Sequence, residues 1–252
     1  MIAYQKKFIR IVECWNGEDV EAKGADLKRR FQQAQPINGM LCREFFTVLI
    51  DLTRDPETLF AQMKRGTRYE ITRARTRDDL VYDCWNGNDA SVFEEFCEYA
   101  GVVLTQKGQP KPDRNWLSLL AKAGLLELTH ASDGAGTKLV WHAYHRSAHR
   151  VTLLYSASSF RNNPSLEFRN LVGRANRYQH WQDMLRFKDA GITTYDFGGW
   201  YDGTTDIERL RINKFKEQFG GEIVKNYICE QALTLKGALF LRIRTRLLGE
   251  AI

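Results

Sequence analysis

Three consecutive strand-type segments, joined by short turns, are the feature that most limits what this chain can fold into. They cover residues 125–130, 138–146 and 150–156. The five residues 132–136, Ser-Asp-Gly-Ala-Gly, separate the first two segments, and Gly and Asp tolerate the conformations that a chain reversal needs. The pattern predicts an antiparallel meander. A sheet of this kind needs helices to cover its apolar face.

Strand and helix patterns alternate on either side of the meander. Apolar residues recur every second position in the predicted strands and about every 3.6 positions in the predicted helices. The predicted strands are 7–15, 43–52, 80–85, 192–197 and 222–233, and the predicted helices are 26–35, 90–100, 116–123, 176–190, 206–219 and one starting at Asp55-Pro56-Glu57. This order predicts an α/β, mixed α+β fold in which helices flank an open mixed sheet. Residues 1–252 are predicted as a single domain, with residues 1–54 as a strand-rich N-terminal extension.

Composition excludes several classes of protein. With 43% apolar and 27% charged residues the chain can bury a core, so disordered and low-complexity architectures are excluded. No apolar run approaches the roughly 18 residues that span a bilayer, and the first residues lack the apolar core of a signal peptide. We therefore expect a soluble, cytoplasmic protein without an integral membrane segment. Its five scattered cysteines are expected to be reduced thiols in or near the core.

The net charge of +6 suits an anionic partner such as a nucleotide, a coenzyme or tRNA. Charge is densest in residues 64–77, which hold six cations and one anion. Two interpretations are open: a solvated helix face, or a phosphate site in which arginine forks bind the anion beside an aromatic ring. For the second interpretation we select Arg68, Tyr69 and Arg73 as candidate substrate-binding residues.

A second basic pattern lies near the end of the sequence. Arg242, Arg244 and Arg246 alternate with Leu241 and Ile243. Period-two alternation predicts a strand with the three cations on one face. A solvated surface is the favoured interpretation, and a phosphate-binding row is the alternative.

The segment Asp196-Phe197-Gly198-Gly199 shares three letters with the metal-binding motif of kinases. The chain has no HRD loop and no GxGxxG, so a kinase is excluded. What remains is a strand end that carries an acid and two glycines. Glycine permits both a turn with positive φ, which we expect at Gly199, and close approach of a ligand to the backbone. A structural turn and a ligand-contacting loop are equally open.

Residues 170–175, Asn-Leu-Val-Gly-Arg-Ala, precede the helix predicted at 176–190. Small residues at a helix N-terminus bare backbone amides, which bind pyrophosphate. Gly173, Arg174 and Ala175 are therefore candidate donor-binding residues. The strand histidines His142 and His145 are three positions apart and face opposite sides, so they predict no metal pair.

Three segments, in this order and spacing, resemble the Fem-type aminoacyltransferases that build peptidoglycan cross-bridges, and the related acyltransferases of the GNAT superfamily. The segments are 68–74, 195–199 and 212–222, and the resemblance covers roughly residues 55–230. It implies a GNAT-like open mixed sheet flanked by helices. Fem-type enzymes usually carry two such domains, whereas this chain has room for about one plus the N-terminal extension.

The resemblance also implies a reaction: transfer from a thioester or aminoacyl ester to an amine, which forms an amide. The Phe-Lys pair of the family falls on Phe215 and Lys216, which implies that both are catalytic. The lysine would stabilise charge on the transferring carbonyl, where acyl transfer builds an oxyanion, and the phenylalanine would position the donor. A surface lysine is the alternative interpretation. Substrate contacts are expected from the strand end and the residues after it, namely Asp196, Gly198, Gly199 and Trp200.

The predicted function is therefore that of an N-acyltransferase or aminoacyltransferase acting on a free amine of a cell-envelope precursor. The acceptor would be a nucleotide- or lipid-linked amino sugar or a peptidoglycan-type peptide, and relatives of this size are associated with surface polysaccharides. Acyl-CoA and aminoacyl-tRNA both stay open as donors, with no tightly bound cofactor and no metal. The alternative is a non-catalytic module that binds tRNA or a nucleotide through Arg68, Arg73 and the Arg242 row. The expected location is the cytoplasm, including the inner face of the membrane.

Overall fold

The computed structural model describes residues 1–161 and 165–248, and within them the chain forms ten strands, seven α-helices and one 3-10 turn. The strands are β1 (Ile2–Lys6), β2 (Ile9–Trp15), β3 (Leu27–Gln33), β4 (Leu41–Asp51), β5 (Val81–Asn86), β6 (Leu126–Ser132), β7 (Lys138–Arg146), β8 (Arg150–Ser158), β9 (Thr194–Trp200) and β10 (Glu222–Ala232). The helices are α1 (Pro56–Gln62), α2 (Arg65–Arg77), α3 (Ala90–Gln106), α4 (Arg114–Lys122), α5 (Leu166–Asp189), α6 (Ile207–Glu217) and α7 (Leu235–Leu248).

The chain divides into two compact units. Unit 1 comprises residues 1–47 and 224–252, and unit 2 comprises residues 48–223. The strand order is β1-β2-β3-β10-β4 in unit 1 and β4-β9-β8-β7-β6-β5 in unit 2, with β4 contributing its first residues to unit 1 and its last residues to unit 2. Parallel and antiparallel pairs both occur, which confirms the predicted mixed α+β class. The single domain over residues 1–252, with 1–54 as an extension, stays a prediction.

The meander is confirmed as the centre of unit 2. Strands β6, β7 and β8 pair antiparallel, and β7 has the predicted bounds. Strand β9 then pairs parallel to β8 through Arg150–Thr152 and Thr194–Asp196. The long helix α5 makes the connection between these two strands, because a parallel pair needs a crossover.

The core of unit 2 joins this sheet to the helices that cover it. Its largest fully buried side chains include Tyr144 of β7, Phe187 of α5 and Tyr195 of β9. The predicted helix start at Asp55 is also confirmed: the Asp55 carboxylate accepts a hydrogen bond from the Thr58 amide at 2.7 Å, and Pro56 occupies the first turn. Phe197 of β9 and Phe219, which follows α6, belong to the same core, so packing holds these two elements beside each other where the candidate site lies.

Two predicted elements have the wrong type. Residues 26–35 were expected to be a helix, but β3 occupies 27–33 and pairs with β2 on one side and β10 on the other. Backbone pairing on both edges outweighs the weak local helix preference. Residues 241–246 were expected to be a strand but belong to α7, so Arg242, Arg244 and Arg246 do not share one face. The side chains buried in that segment are Leu241 and Thr245, whose spacing of four is helical.

The expectation that all cysteines are reduced is wrong for one pair. Cys42 of β4 and Cys229 of β10 form a disulfide within unit 1. Their sequence separation of 187 residues gave no spacing signal, because only strand pairing brings them together. Cys14 and Cys97 are buried free thiols, as expected, whereas Cys84 is exposed.

Candidate functional site

The candidate site lies where β9 ends and α6 packs against it. Helix α6 starts after Asp206, whose side chain accepts a hydrogen bond from the Arg209 amide. The only side chains that α6 buries are polar, namely Asn213 and Lys216. Their spacing of three places both on the face that meets the end of β9. We call this the β9–α6 site, defined by residues 198–201, Asn213 and Lys216.

Lys216 is the charged group of the β9–α6 site. Its side chain is buried, with 8% of the residue surface exposed, and its ammonium nitrogen Nζ donates to the carbonyl oxygens of Gly198 at 3.2 Å and Gly199 at 2.5 Å. Burial lowers the pKa of Lys216 to about 8, although the nearby Asp196 carboxylate favours the charged form. A surface lysine is thereby excluded. The site presents a buried cation at the end of a strand.

Asn213 was not selected from the sequence. Its amide Nδ2 donates to the carbonyl of Tyr201 at 2.6 Å, and the Tyr201 amide donates back to Oδ1 at 3.1 Å. Asn213 and Lys216 therefore hold the backbone of Gly198, Gly199 and Tyr201. The spacing of three on one predicted helix could have indicated Asn213, since it places the asparagine on the same face as Lys216.

Asp196 is fully buried and fixes the strand end. Arg150 donates to Oδ2 from Nε at 3.1 Å and from Nη2 at 2.7 Å, and the Thr152 hydroxyl donates to the same oxygen at 3.1 Å. The Gly198 amide donates to Oδ1 at 2.8 Å. The geometry thus gives Asp196 a role in shaping the turn, whereas direct substrate contact by this residue stays a prediction.

The two glycines of the segment differ. Gly198 has φ of +69°, and a Cβ there would lie 2.6 Å from the carbonyl oxygen of Leu153. Gly199 is exposed, has no positive φ and has open space beside it. The expectation of a positive φ at Gly199 is therefore wrong, because the turn is made one residue earlier. Trp200 is half-buried and packs against the core, so its ring is only partly available to a ligand.

The backbone ladder between strands β8 and β9 is short. Their pairing in the described chain covers three residues of each strand, ending at Thr152 and Asp196, although β8 continues to Ser158 and β9 to Trp200. Residues 153–156 of β8 are half-buried. Leu153 of β8 still lies close to Gly198 of β9, since a Cβ at Gly198 would lie 2.6 Å from the Leu153 carbonyl oxygen. Open space begins one residue later, at the exposed Gly199.

Phe215 connects the site to a cavity. Its half-buried ring lies 5.3 Å from the ring of Phe219 and 5.6 Å from that of His180, measured between centroids, and the Arg177 guanidinium lies 5.1 Å from the Phe215 centroid. Arg177 also lines a cavity of about 500 Å³ between α2, α5 and α6. The other lining residues are Lys64, Gly66, Thr67, Tyr69, Glu70, Lys214, Glu217 and Gln218.

The predicted basic helix is confirmed as α2, but its three selected residues have different surroundings. Tyr69 is exposed and lines the cavity. Arg68 points back to α1 and donates from Nη1 to the carbonyl oxygens of Ala61 at 2.6 Å and Met63 at 3.1 Å. Arg73 is exposed and does not line the cavity. The structure brings only Tyr69 of the three to the cavity.

The predicted donor loop is wrong in its local structure. Helix α5 begins at Leu166, so Gly173, Arg174 and Ala175 lie inside the helix, where backbone amides are bonded to carbonyls of the preceding turn. Ala175 is fully buried, and the Arg174 guanidinium is paired with the carboxylate of Asp78. These residues bare no amides, so their assignment to the donor has lost its physical basis.

A second buried polar group in unit 2 was missed by the sequence reasoning. The Asp183 carboxylate accepts from the hydroxyls of Tyr82 at 2.8 Å and Tyr144 at 2.6 Å and lies 2.8 Å from His142 Nδ1. Two further contacts extend the group: Tyr144 to Tyr195, hydroxyl to hydroxyl, at 2.7 Å, and the Tyr195 hydroxyl to His180 Nδ1 at 2.7 Å. We call these six residues the sealed cluster.

Burial dominates the electrostatics of the sealed cluster. It lowers the pKa of His180 well below the usual value and raises the pKa of Tyr144 and Tyr195 well above it. His142, His180 and Asp183 have ligand-type atoms within 4.8 Å of one another, a set that suits a metal ion by residue type. Hydrogen bonds within the cluster already engage these side chains.

Comparison with known proteins identifies the fold. The sequence matches no family model, and no curated protein is significantly similar to it. The solved structure of FemX superposes with a TM-score of 0.64 and 15% identity over 84% of this chain and 73% of that chain. L-PGS from Bacillus licheniformis gives a TM-score of 0.53 and 11% identity over 88% of this chain and 73% of that chain. The chain therefore has a fold like that of FemX and of L-PGS.

A membrane-spanning helix was not expected from the sequence. Among the helices of residues 1–161 and 165–248, none combines the length and the apolarity that a bilayer crossing requires.

Proposed function

We propose that this protein is an N-acyltransferase or aminoacyltransferase that forms an amide on a free amine of a cell-envelope precursor. The Fem-like fold supports this class of reaction, as FemX and L-PGS are among the structures that it resembles. The observation that carries the proposal is the buried ammonium of Lys216 at the end of β9. The acceptor would be a nucleotide- or lipid-linked amino sugar, or a peptide of the peptidoglycan type.

Lys216 can supply the charge that acyl transfer requires. In this reaction the amine nitrogen attacks the acyl carbon, the bond from that carbon to the donor sulfur or oxygen breaks, and the proton lost by the amine is taken up by the leaving group or by water. Negative charge builds on the carbonyl oxygen in the transition state. A lysine ammonium has three N–H donors. Two are directed at Gly198 and Gly199, which leaves one for the transferring carbonyl.

The pKa of about 8 fits this role. At neutral pH the ammonium is mostly charged, and a charge in a dry site stabilises an oxyanion more strongly than a charge in water. An extended donor would lie at the exposed Gly199, which has open space beside it and whose carbonyl oxygen accepts from the Lys216 ammonium. Phe215 would position the donor from the other side of the same helix turn. Asp196, Gly198, Gly199 and Trp200 would shape this end of the site.

The cavity beside Phe215 is the place we propose for donor phosphates. Helix α2 begins there: Lys64 at its N-cap makes no side-chain capping bond, and Gly66 and Thr67 of the first turn line the cavity, where first-turn amides would be able to bind an anion. Lys64, Arg177 and Lys214 supply three cations against the two acids Glu70 and Glu217. Acyl-CoA and aminoacyl-tRNA both carry phosphates, so both donors stay open. Tyr69 would stack on the base, and the exposed Arg73 would extend the basic surface.

The binding-module alternative is less well supported. It relied on Arg242, Arg244 and Arg246 as one cationic face, but in α7 Arg244 lies on a different side of the helix from Arg242 and Arg246 and is paired with Glu230. It also gives no reason to bury a lysine at the end of β9. A module that only binds tRNA or a nucleotide needs exposed cations.

The test compares Lys216→Met with a matched control. Lys188 also donates to two consecutive carbonyls, those of Leu52 at 2.9 Å and Thr53 at 3.5 Å, but it lies outside the site. We expect Lys216→Met to lower kcat about a hundredfold to a thousandfold, since loss of one oxyanion donor costs roughly 2.7–4 kcal/mol. Lys188→Met should stay within about threefold of wild type. The assay follows amide formation with acetyl-CoA or aminoacyl-tRNA and a set of amino-sugar acceptors.

Two results would contradict the proposal. One is an equal loss of turnover in both variants, which would mean that the only role of Lys216 is to bond the strand carbonyls; the other is wild-type turnover in Lys216→Met.

Donor identity is tested separately by thermal shift. A ligand that binds only the native state raises Tm according to its affinity. If the cavity binds donor phosphates, Lys214→Gln should reduce the shift caused by the donor.

A further inference from the structure

Helix α7 has two faces with opposite burial. Gly237, Leu241 and Thr245 recur every four residues and are buried in unit 1. At Gly237 the backbone of α7 lies very close to that of Asp26, since a Cβ there would lie 2.0 Å from the Asp26 carbonyl oxygen. Leu241 belongs to a small core with Ile9 and other residues of the unit 1 sheet. One side of α7 is therefore fixed on unit 1.

The opposite side of α7 carries an apolar stripe that faces solvent. Leu235, Leu239 and Ile243 also recur every four residues, and they are 92%, 58% and 48% exposed. We call these three residues the α7 stripe. Aliphatic side chains aligned along one helix face, rather than scattered singly, mark an interaction surface.

Cations accompany the α7 stripe. At about 100° per residue, Arg242 and Arg246 lie within about 60° of Leu239 around the helix axis, and both are exposed. Lys236 and Arg244 are also basic, although they pair with Asp26 and Glu230 of unit 1. Residues 235–248 include no acid. An apolar stripe with interleaved arginines is the pattern of a helix that lies on an anionic lipid surface.

We propose that α7 docks this protein on a membrane surface that carries anionic lipid headgroups, with the α7 stripe in the apolar boundary and Arg242 and Arg246 at the phosphates. Charge complementarity favours an anionic membrane surface over the other partners that this face could bind. A second copy of the chain facing the same stripe would bring the arginines of both copies together, which is unfavourable. A nucleic acid would use the arginines, but the exposed side chains between them are aliphatic and cannot stack on bases.

The test is flotation of the full chain with vesicles of phosphatidylcholine alone or mixed with phosphatidylglycerol. Wild type should bind the mixed vesicles and be released by salt. The double variant Arg242→Gln/Arg246→Gln should bind about 30-fold more weakly, at about 1 kcal/mol per cation near the surface. Leu235→Asn/Leu239→Asn should lose on the order of tenfold per leucine.

Matched controls come from unit 2. Val102→Asn removes an exposed apolar side chain, and Lys111→Gln/Lys122→Gln removes two exposed cations, so both should bind like wild type. Circular dichroism verifies that each variant is folded. Because no transferase assay is involved, the result is independent of the proposed reaction.

Four results would overturn the docking proposal. The first is that wild type does not bind the mixed vesicles, and the second is that both α7 variants bind as well as wild type. The third is that wild type forms a dimer which Leu235→Asn/Leu239→Asn dissociates. The fourth is binding of a short RNA that requires the arginines but not the leucines, since that would assign the face to nucleic acid.

Discussion

The sealed cluster and the β9–α6 site are both buried polar groups of unit 2, and they differ in what their members bond. In the sealed cluster, side chains bond side chains: Asp183 accepts from tyrosine hydroxyls, and Tyr195 contacts His180. In the β9–α6 site, Asn213 and Lys216 bond backbone groups of a strand end that includes the exposed Gly199. In the sealed cluster five members are fully buried and only Tyr82 is partly exposed, whereas the β9–α6 site reaches the surface at Gly199.

This difference indicates which group maintains the folded structure and which group takes part in the reaction. A closed network in which donors and acceptors match stabilises one arrangement and costs much when a member is lost. A buried cation without a carboxylate in contact is costly to keep, and such costs are typical of functional sites. We therefore expect substitutions in the sealed cluster to change stability and substitutions of Lys216 to change reactivity.

The largest expected effect on stability is at Asp183. Replacing Asp183 with Ala leaves Tyr82, Tyr144 and His142 without their shared acceptor in a dry interior, so the free energy of unfolding should fall by about 3–5 kcal/mol. Urea unfolding measures the loss. Asp189→Ala, at the exposed end of the same helix, should change the free energy by less than about 0.5 kcal/mol. Similar values for the two variants would remove the distinction between the groups.

The next effect is a pH dependence that belongs to Lys216. Its pKa is about 8 in the folded chain and 10.5 when unperturbed, so the unfolded chain binds more protons between these values. The stability of wild type relative to Lys216→Met should therefore rise with pH from about 8 to 10.5, by up to about 3 kcal/mol. Denaturant unfolding at several pH values measures this. A flat difference would mean that the lysine is not buried as a cation.

The smallest of these effects separates the two glycines of the β9–α6 site. Gly198→Ala combines a positive φ with a contact to a backbone oxygen, so we expect a loss of about 1–3 kcal/mol. Gly199→Ala meets open space and should stay within about 0.5 kcal/mol. Gly199→Val should keep the fold and lower turnover by filling that space. If Gly199→Ala proves as destabilising as Gly198→Ala, the turn does not lie where the structure has it.

Much of unit 2 could be predicted because its signals are local. Turn residues at 132–136 and apolar alternation on both sides specify the meander, and the Asp55-Pro56 cap specifies a helix start. The Phe215-Lys216 pair was found through resemblance to a family, since a lysine on an amphipathic helix is ordinary by pattern alone. The start of α5 was missed because Gly173 and its polar neighbours suggest a loop, whereas burial of Val172 and Ala175 keeps that segment helical.

The sequence by itself determined the order of most elements and the mixed fold class, because hydrophobic periodicity acts within about ten residues. Only the tertiary structure decided that residues 27–33 form a strand, since their partners lie in β2 and β10. It also decided the sealed cluster, whose members Tyr82 and Asp183 are 101 positions apart. Lys216 became a buried cation for the same reason: its burial and its pKa depend on the end of β9, which packing alone brings beside α6.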